Sequence, residues 1–405
     1  MRISIRCIRT AGGILAGLLM LQLTGCWSSV ELDHRAFARV MLLDRTEEGV
    51  ELSLGFPLPN QIMAGSSGGG SASGSTHQQD YTYTSKTGPS IGEAFQKIQT
   101  DLPRKITFGQ LRNIIIGKKY AESREDILAL SDFVSRQPLI HINGNLFMTL
   151  KQAKHFAQIP AIFERFPSVI LADYAKEKNT LIITLKDMLS ALYAGGDFLL
   201  PELTFKEIAP VDNQSSGQPG PNWLGAGGAG VFTQGRLNGM LSPEQTRAVM
   251  WLLQDEGGLN YSAISPKDGK NVSLLLKSGK RRIKPVVKNG EIAFTLGLSI
   301  GAGILATDSS IDLTDPVQLR ELEQEVGDEL SEHIRSAFAN FSGLHSDPLQ
   351  MGSYLRWHHP ALWRRIKPDW RDKIAGDVEI RPDIDVTVKW SGSSQKQNWQ
   401  KYITK

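Results

Sequence analysis

The stretch 378–390, VEIRPDIDVTVKW, carries the clearest fold signal in the chain. Its even-numbered residues are all apolar or proline, and its odd-numbered residues are all polar. Because successive side chains of a strand point to opposite faces, this period of two predicts a strand in a sheet with one buried and one solvated face. Pro382 has no N–H to donate to a neighbour, so the strand is predicted to lie at a sheet edge or to carry a bulge.

Two capped amphipathic helices are predicted before that strand. Asp315 followed by Pro316 is typical of a helix start, and Ser242 with Gln245 forms a capping box. The apolar residues of the first of these helices recur every three to four positions, at Leu319, Leu322, Val326, Leu330, Ile334 and Phe338. Those of the second are Ala248, Val249, Trp251 and Leu252. Each helix is therefore expected to bury one face.

Two hairpins are predicted between the helices. Residues 272–276 return through a turn at 277–280 to residues 283–287, and a second turn at 288–290 leads into residues 292–305. Strands that follow one another in this way are expected to pair antiparallel. The predicted fold class is therefore α+β, with several subdomains, mixed and antiparallel sheets, and flanking amphipathic helices.

Two stretches of low apolar content divide the chain. Residues 64–79, AGSSGGGSASGSTHQQ, are predicted to be a flexible loop between two strands, and residues 209–230 are rich in Pro, Gly, Ser and Asn. We take the second stretch as a linker. The predicted units are an N-terminal domain over 26–208, long enough for two subdomains, and a C-terminal domain over 231–405.

The first 25 residues read as an export signal. Three arginines precede an apolar stretch at 11–23, which is short for a helix that crosses the hydrocarbon core of a bilayer. The tetrapeptide LTGC at 23–26 resembles the bacterial lipobox. This motif implies cleavage after Gly25, transfer of a diacylglyceryl group to the thiol of Cys26, and a further acyl chain, such as palmitate, on the new amino terminus. An ordinary secretory signal that happens to end in cysteine is the alternative.

Charge and cysteine content exclude several classes of protein. Removal of residues 1–25 takes away three arginines and no acids, so Lys+Arg falls from 45 to 42 against an Asp+Glu count of 42. A formally neutral mature chain gives no support to a nucleic-acid partner. Cys7 lies in the signal and Cys26 is the lipid acceptor, and these are the 2 cysteines of the chain. Disulfides, thiolate metal sites and cysteine nucleophiles are therefore not expected.

The glycine-rich run at 225–230, GAGGAG, fits the spacing of a dinucleotide-binding loop. Such a loop needs a strand before it and a helix after it, so that the helix amino terminus meets the pyrophosphate. Here a proline-rich stretch precedes the run and a hairpin-like segment follows it. We interpret the run as part of a flexible linker.

Candidate metal ligands are few. His358 and His359 are adjacent, so on an extended backbone their side chains point apart. Glu329 and His333 share one helical face, but a solvated helix face often carries such a pair. We therefore predict no metal site and no cofactor.

The usual sequence signatures of catalysis are missing as well. We find no G-x-S-x-G elbow, no H-E-x-x-H and no S-x-x-K with its companion motifs. Glycoside cleavage needs only two suitably spaced carboxylates, so the sequence leaves that chemistry open. The prediction is a protein that is not an enzyme.

Four blocks of residues from Cys26 onward form a further pattern. They are Cys26-Trp27 with Glu31-Leu32-Asp33, Asp44, Pro57 and Pro59; Gly88-Pro89-Ser90 with Glu93-Ala94-Phe95, Phe108-Gly109, 114–117, Ala121 and Arg136; Gly230-Val231-Phe232 with Gly239, Leu241 and Trp251; and Asp347, Leu349, Gly352, Pro360, Trp363, Trp370, Val386 and Val388. In these blocks the chain resembles the Ger(x)C family, the lipoprotein third subunit of the nutrient germinant receptors of bacterial spores. The chain has Gln110 where the family commonly has His, so no role is assigned there.

The resemblance implies a non-enzymatic α+β protein held by its lipid on the outer face of the spore inner membrane. It also implies two integral-membrane partner subunits, of the A and B types, to which nutrient binding is mainly ascribed. Two other functions stay open: a solute-binding lipoprotein of a transporter and a cell-envelope hydrolase.

A candidate partner surface lies in the closing block. Trp357, Trp363, Trp370 and Arg364, with Arg365 and Arg371 nearby, have the Trp and Arg enrichment of interface hot spots. The alternative is that the tryptophans fill a core.

Overall fold

The computed structural model describes residues 34–58, 81–160, 166–177, 180–207, 222–254 and 258–390. These residues form mixed and antiparallel sheets with helices packed on them, so the predicted α+β class is confirmed. The strands are β1 (Arg35–Phe37), β2 (Val40–Thr46), β3 (Gly49–Pro57), β4 (Tyr81–Gly88), β5 (Lys105–Thr107), β6 (Asn113–Gly117), β7 (Asn145–Thr149), β8 (Ile183–Thr184), β9 (Phe198–Glu207), β10 (Asn222–Thr233), β11 (Arg236–Leu241), β12 (Gly258–Ile264), β13 (Asn271–Lys288), β14 (Glu291–Thr307) and β15 (Val378–Trp390). The helices are α1 (Ile91–Asp101), α2 (Lys118–Ala121), α3 (Arg124–Arg136), α4 (Pro167–Glu177), α5 (Leu185–Ala194), α6 (Pro243–Leu253), α7 (Pro316–Gly343), α8 (Met351–His358), α9 (Pro360–Ile366) and α10 (Trp370–Gly376).

The larger sheet has nine strands in the order β11-β10-β9-β7-β6-β2-β3-β4, with β8 paired to β7. Its centre is parallel, because β2 pairs with β6, β6 with β7, and β7 with β9 in that sense. Its outer pairs are antiparallel. Every residue of β6 is buried, as is usual for a parallel strand that is covered on both faces.

Alternate residues of the central strands feed two separate cores. Ile114 and Ile116 point to one face, against helices α1 and α3, while Ile115 points to the other face. On that second face, Phe156 from a 3₁₀ turn and Leu171 from α4 complete the packing. The sheet is therefore a three-layer unit that buries both of its faces.

The smaller sheet has four strands in the order β12-β13-β14-β15. The long helix α7 packs on it and buries the predicted stripe, including Leu322, Val326, Leu330 and Ile334. Both predicted helix caps are confirmed. Asp315 accepts a hydrogen bond from the backbone N–H of Val317, and Ser242 forms the capping box with Gln245.

Strand β15 confirms the alternation prediction and the edge prediction. Among the described strands it pairs only with β14, so it lies at the edge of the smaller sheet, with Pro382 opposite Leu296. The pair is parallel, which the hairpin pattern does not predict. Helix α7 and the helices that follow it carry the chain back across the sheet before β15 begins, and this crossover allows the parallel sense.

The turn predicted at 277–280 is wrong. Strand β13 runs without a turn from Asn271 to Lys288. Where the turn was predicted, the strand has a bulge, and its pairing with β14 shifts register between Ser278 and Arg281. The backbone N–H of Lys280 donates to the hydroxyl of Ser299 at 2.8 Å, which satisfies a group that the bulge leaves unpaired. The second predicted turn is confirmed.

The linker predicted at 209–230 also needs correction. Residues 222–230 belong to β10, which pairs with β9 on one side and β11 on the other. The larger sheet therefore continues across the predicted domain boundary. None of the glycines at 225–230 has a positive φ angle, so their role is close packing rather than conformational freedom.

Several predictions fall outside the described residues. They are the signal at 1–25, Cys26, the loop at 64–79 and residues 209–221. The two strands predicted on either side of that loop are confirmed as β3 and β4, and they pair antiparallel. Within the described part of the chain, no helix combines the length and the apolar character needed to cross a membrane.

The glycine run provides a test of the packing interpretation. A Cβ on Gly228 would lie against the backbone carbonyl of Leu241, whereas a Cβ on Gly297 of β14 would make only ordinary contacts with Arg282, the nearest at 3.7 Å. We expect Gly228→Ala to lower the free energy of unfolding by about 1–3 kcal/mol through overpacking. The matched Gly297→Ala change should alter it by less than about 1 kcal/mol. Urea unfolding of residues 27–405 measures both, and equal effects would contradict the packing role.

Candidate functional site

A cleft of about 900 Å³ opens between the larger sheet and the helices that follow α7. Helices α5 and α8 form two walls of the cleft, and β13 and α9 contribute further side chains. Binding sites are often found in clefts of this size where two parts of a protein meet. The cleft is therefore the candidate functional site.

Large aromatic side chains stand on the two walls of the cleft. Tyr193 at the end of α5 is 94% exposed, and Trp357 on α8 is 63% exposed. Tyr354 packs edge-on against Trp357 with 5.4 Å between ring centroids, which supports the indole from below. These rings can offer apolar contact area to a bound molecule.

A buried residue, Asp197, is among those that line the cleft. It lies between α5 and β9 and is 4% exposed. Its two oxygens accept hydrogen bonds from the backbone N–H groups of Gln234 at 2.9 Å and Asp347 at 2.8 Å. They also accept from both terminal nitrogens of Arg371, at 2.8 and 2.7 Å. The two-pronged contact is the strongest geometry that an arginine and a carboxylate can form.

Arg371 in turn holds two loops. Its guanidinium donates to the carbonyl oxygens of Gly195 and His345, each at 3.0 Å. The side chain of Gln350 donates to the carbonyl of Asp197 at 2.6 Å. Arg371, Asp347 and Gln350 therefore hold helix α10 and the segment before α8 against Asp197, which immediately precedes β9.

A second buried carboxylate, Asp347, fixes the amino terminus of α8. It accepts from the backbone N–H groups of Met351 at 2.7 Å and Gly352 at 2.8 Å, and from the indole N–H of Trp370 at 2.9 Å. Burial, and to a smaller extent the nearby charge of Asp197, raise the pKa of Asp347 to about 6, although its hydrogen bonds favour the charged form.

The backbone around this network is strained. Among the described residues, the non-glycine residues with positive φ are Gln234 at 54°, His345 at 50°, Gln350 at 57° and Asn289 at 51°. The first three all contribute to the network. Such conformations persist where surrounding contacts hold them, so the hydrogen bonds of Asp197 and Arg371 maintain this geometry.

The arrangement suits binding rather than acid–base chemistry. Each oxygen of Asp197 and Asp347 already accepts at least one hydrogen bond, so neither carboxylate is directed at the open cleft. No group of three or more His, Cys, Asp or Glu side chains within the described ranges could hold a metal ion.

The structure places some residues of the predicted partner surface in the core and others on the surface. Trp370 is 7% exposed and belongs to the core, so its place on that surface is wrong. Trp363 is half-buried and stacks edge-on against Trp370 with 5.5 Å between centroids. A Cβ on Gly352 would collide with both rings, which explains the glycine there. Trp357 and Arg364 are exposed and remain candidates.

The residues considered as candidate metal ligands lie on helices or at their ends and make local contacts. The ring Nδ1 of His358 lies 2.9 Å from the carbonyl oxygen of Tyr354, and His359 precedes α9. Glu329 and His333 approach to 3.8 Å as an exposed pair on α7. Cys26, the predicted lipid site, lies outside the described residues.

Sequence reasoning missed the organisation of this site. Arg371 was assigned to the surface, and Asp197 and Tyr193 were not singled out. The segment Gly195-Gly196-Asp197 after a capped helix is the only local signal, since the partners of Asp197 lie up to 174 residues away. Such long-range pairing has no periodic signature.

Removal of the arginine tests the buried pair. Arg371→Ala leaves the carboxylate of Asp197 buried without its counter-charge, so we expect the free energy of unfolding to fall by about 3–5 kcal/mol. Lys373→Ala breaks only the exposed pair to Asp377 and should cost less than about 1 kcal/mol. Urea unfolding of residues 27–405 measures both changes, and a loss below 1 kcal/mol for Arg371→Ala would contradict the proposed role of the pair.

The raised pKa of Asp347 predicts a pH dependence of stability. Between the ordinary value of 3.8 and about 6, the folded state binds a proton more firmly than the unfolded state. The contribution of this carboxyl to stability is thus greatest below pH 4 and is lost as the pH rises through 6. Relative to Asp347→Asn, which cannot titrate, the wild type should lose roughly 2 kcal/mol between pH 4 and pH 7. A constant difference across this range would mean that the three N–H donors keep Asp347 ionised throughout.

Comparison with known proteins gives consistent results over most of the chain. A family model described as "Spore germination protein N-terminal domain" matches residues 28–205. A second, described as "Spore germination B3/ GerAC like, C-terminal", matches residues 227–392.

Two relatives from Bacillus subtilis (strain 168) match over nearly their full lengths. A putative spore germination protein, YfkR, is 22% identical over 380 residues, which cover 94% of this chain and 96% of YfkR. Spore germination protein B3 is 22% identical over 386 residues, which cover 91% of this chain and 95% of that protein.

A solved structure has the same fold. The crystal structure of the GerBC protein superposes with a TM-score of 0.52 at 16% sequence identity, covering 87% of this chain and 98% of that one. With both family models matched in consecutive order, the chain belongs to the Ger(x)C family of spore germination proteins.

Proposed function

We propose that this protein is the lipoprotein subunit of a nutrient germinant receptor, anchored through Cys26 to the outer face of the spore inner membrane. The observation that carries the proposal is the consecutive match of both germination family models, at 28–205 and 227–392. The first of these matches begins two residues after Cys26. The family assignment therefore coincides with the chain that cleavage after Gly25 would release.

The anchor has a physical role in this proposal. A diacylglyceryl group supplies two acyl chains, which hold a protein to a bilayer far more firmly than one chain does. The tether confines the globular part to a thin layer beside the membrane and so raises its effective concentration at integral-membrane partners. The proposed partners are the A-type and B-type receptor subunits.

The proposed mechanism is coupling through binding. The cleft lies where the larger sheet meets the C-terminal helices, and the pair of Asp197 and Arg371 holds the two together. A partner that contacts both walls binds more tightly to one relative position of the walls than to another. Its binding therefore shifts the equilibrium toward the conformation that it prefers. In this way the subunit would help to transmit nutrient binding to the change that starts ion release, without catalysis or a cofactor of its own.

A solute-binding lipoprotein remains the second candidate, because a cleft of about 900 Å³ is large enough for a small molecule. A ligand that binds the folded state raises the unfolding temperature, so a metabolite library screened against residues 27–405 would reveal it. Nothing in the geometry favours the cell-envelope hydrolase.

Spores that lack the gene test the receptor role. We expect them to lose the response to some nutrients and to keep the response to calcium dipicolinate, which acts independently of the receptors. Normal germination with every nutrient, in a strain with no paralogue, would contradict the assignment.

The anchor is tested in the same spores by complementation. Cys26→Ala should abolish lipid labelling, release the protein from the membrane fraction and fail to restore germination. Cys7→Ala is the matched control, because Cys7 lies in the signal and the change leaves the LTGC motif intact. Retention of the Cys26→Ala protein in the membrane fraction would contradict the lipid anchor.

A further inference from the structure

Positive charge is concentrated in two stretches of a chain whose formal net charge is only +3. Residues 348–368 contain four Lys or Arg and no acid, and residues 280–288 contain five and no acid. Helix α8, from the first stretch, packs against β13, which contains the second. The two cationic stretches therefore lie side by side in the fold, although 59 residues separate them in the chain.

The candidate cleft opens onto this basic region. Arg281, Arg356 and Lys367 line it. In the part of the chain that the structure describes, no acidic side chain forms an ion pair with Arg356 or Lys367. An exposed cation without a counter-charge attracts an anionic ligand over a distance of about 10 Å at moderate ionic strength.

The acids that line the cleft are already engaged. Asp187 caps helix α5 and accepts from the backbone N–H of Thr184 at 2.9 Å and from its hydroxyl at 2.7 Å. Asp197 is paired with Arg371. Because Arg371 balances the charge of Asp197, the lining cations Arg356 and Lys367 outnumber the one remaining lining acid, Asp187, and the net charge of the cleft is positive.

The aromatic walls define the second requirement on a ligand. Tyr193 on α5 and Trp357 on α8 both line the cleft with exposed rings, and Trp363, which is half-buried, lines it as well. Trp, Tyr and Arg are the residue types that most often dominate binding energy at protein interfaces. A ligand that combines carboxylates with an apolar side chain would satisfy both features.

Shape and charge distinguish among the possible occupants. A flat bilayer surface would touch only the rims of a concave site, whereas a peptide can insert side chains between its walls. The C-terminal segment of the chain itself, residues 391–405, carries three lysines and no acid, so like charge disfavours it as the occupant. A peptide of opposite charge from another protein meets both criteria.

We infer that the cleft receives an acidic peptide segment, bearing an aromatic or large aliphatic side chain, from a partner protein in the receptor complex. Its carboxylates pair with Arg356 and Lys367, and its apolar side chain enters between Tyr193 and Trp357. This inference rests on the proposed function, since it identifies the surface by which the subunit meets its partners.

Photo-crosslinking in spores tests the inference with the full, anchored chain. p-Benzoylphenylalanine is placed at Trp357 or, separately, at Tyr193, and the crosslinked peptide is identified by mass spectrometry. We expect both positions to capture the same partner segment, with an excess of Asp and Glu over Lys and Arg. Capture of lipid alone, of a segment without net negative charge, or of nothing would overturn the inference.

Charge reversal supplies the second measurement. Arg356→Glu combined with Lys367→Glu should lower the yield of that crosslink at least tenfold, because two attractive pairs become repulsive. The matched control is Lys105→Glu combined with Lys119→Glu, two exposed cations on the N-terminal half, which should change the yield less than twofold. An unchanged yield in the first double variant would overturn the inference.

Two controls keep the result interpretable. The amount of each variant in the membrane fraction reports whether it folds and is anchored. If the variant with Arg356→Glu and Lys367→Glu is depleted there, Arg356→Gln with Lys367→Gln is measured instead. We expect this second double variant to lower the crosslink yield at least threefold. Germination of spores that lack the gene tests the receptor role independently. If those spores fail to respond to nutrients while Trp357 captures nothing, the docking surface is wrong and the receptor role stands.

Discussion

The buried pair of Asp197 and Arg371 is the constraint on which the arrangement of this protein depends. A carboxylate that is withdrawn from water is stable only when donors replace the lost solvent, and here two backbone N–H groups and a two-pronged guanidinium do so. The pair joins residues 174 positions apart, one beside the larger sheet and one on the last helix. It also holds neighbouring residues in left-handed backbone conformations that an isolated chain would rarely adopt.

The position of the cleft follows from that pair. Because α8 and α10 are fixed against the start of β9, the exposed ring of Trp357 lines the same cleft as Tyr193, together with Arg356 and Lys367. The larger sheet also crosses the boundary between the two family halves, since β10 and β11 extend a sheet that begins in the N-terminal half. The two halves are therefore joined both by strand pairing and by a buried charge, and a ligand in the cleft contacts both.

Local sequence patterns correctly predicted the caps of helices and the alternation of a strand, but not which segments pair with one another in the sheets. The caps at Asp315 and Ser242 and the alternation in 378–390 are confirmed, because each depends on interactions between residues close in the chain. The glycine run at 225–230 was misread because glycine has the same composition signal in a flexible loop and in a tightly packed strand. The turn predicted at 277–280 failed because pairing with the equally long β14 favours a bulge within a continuous strand.

The sequence by itself determined the α+β class, the capped helices and the half-solvated edge strand, and it predicted the lipid anchor at Cys26 from a local motif. Only the tertiary structure decided which aromatic residues are buried. Trp370 fills the core and donates to Asp347, while Trp357, of the same type and only 13 positions away, stays exposed. The physical reason is the separation along the chain over which each interaction acts. Caps and periodicities act over a few residues, whereas the burial of a tryptophan or the pairing of a carboxylate depends on which distant segments pack around it.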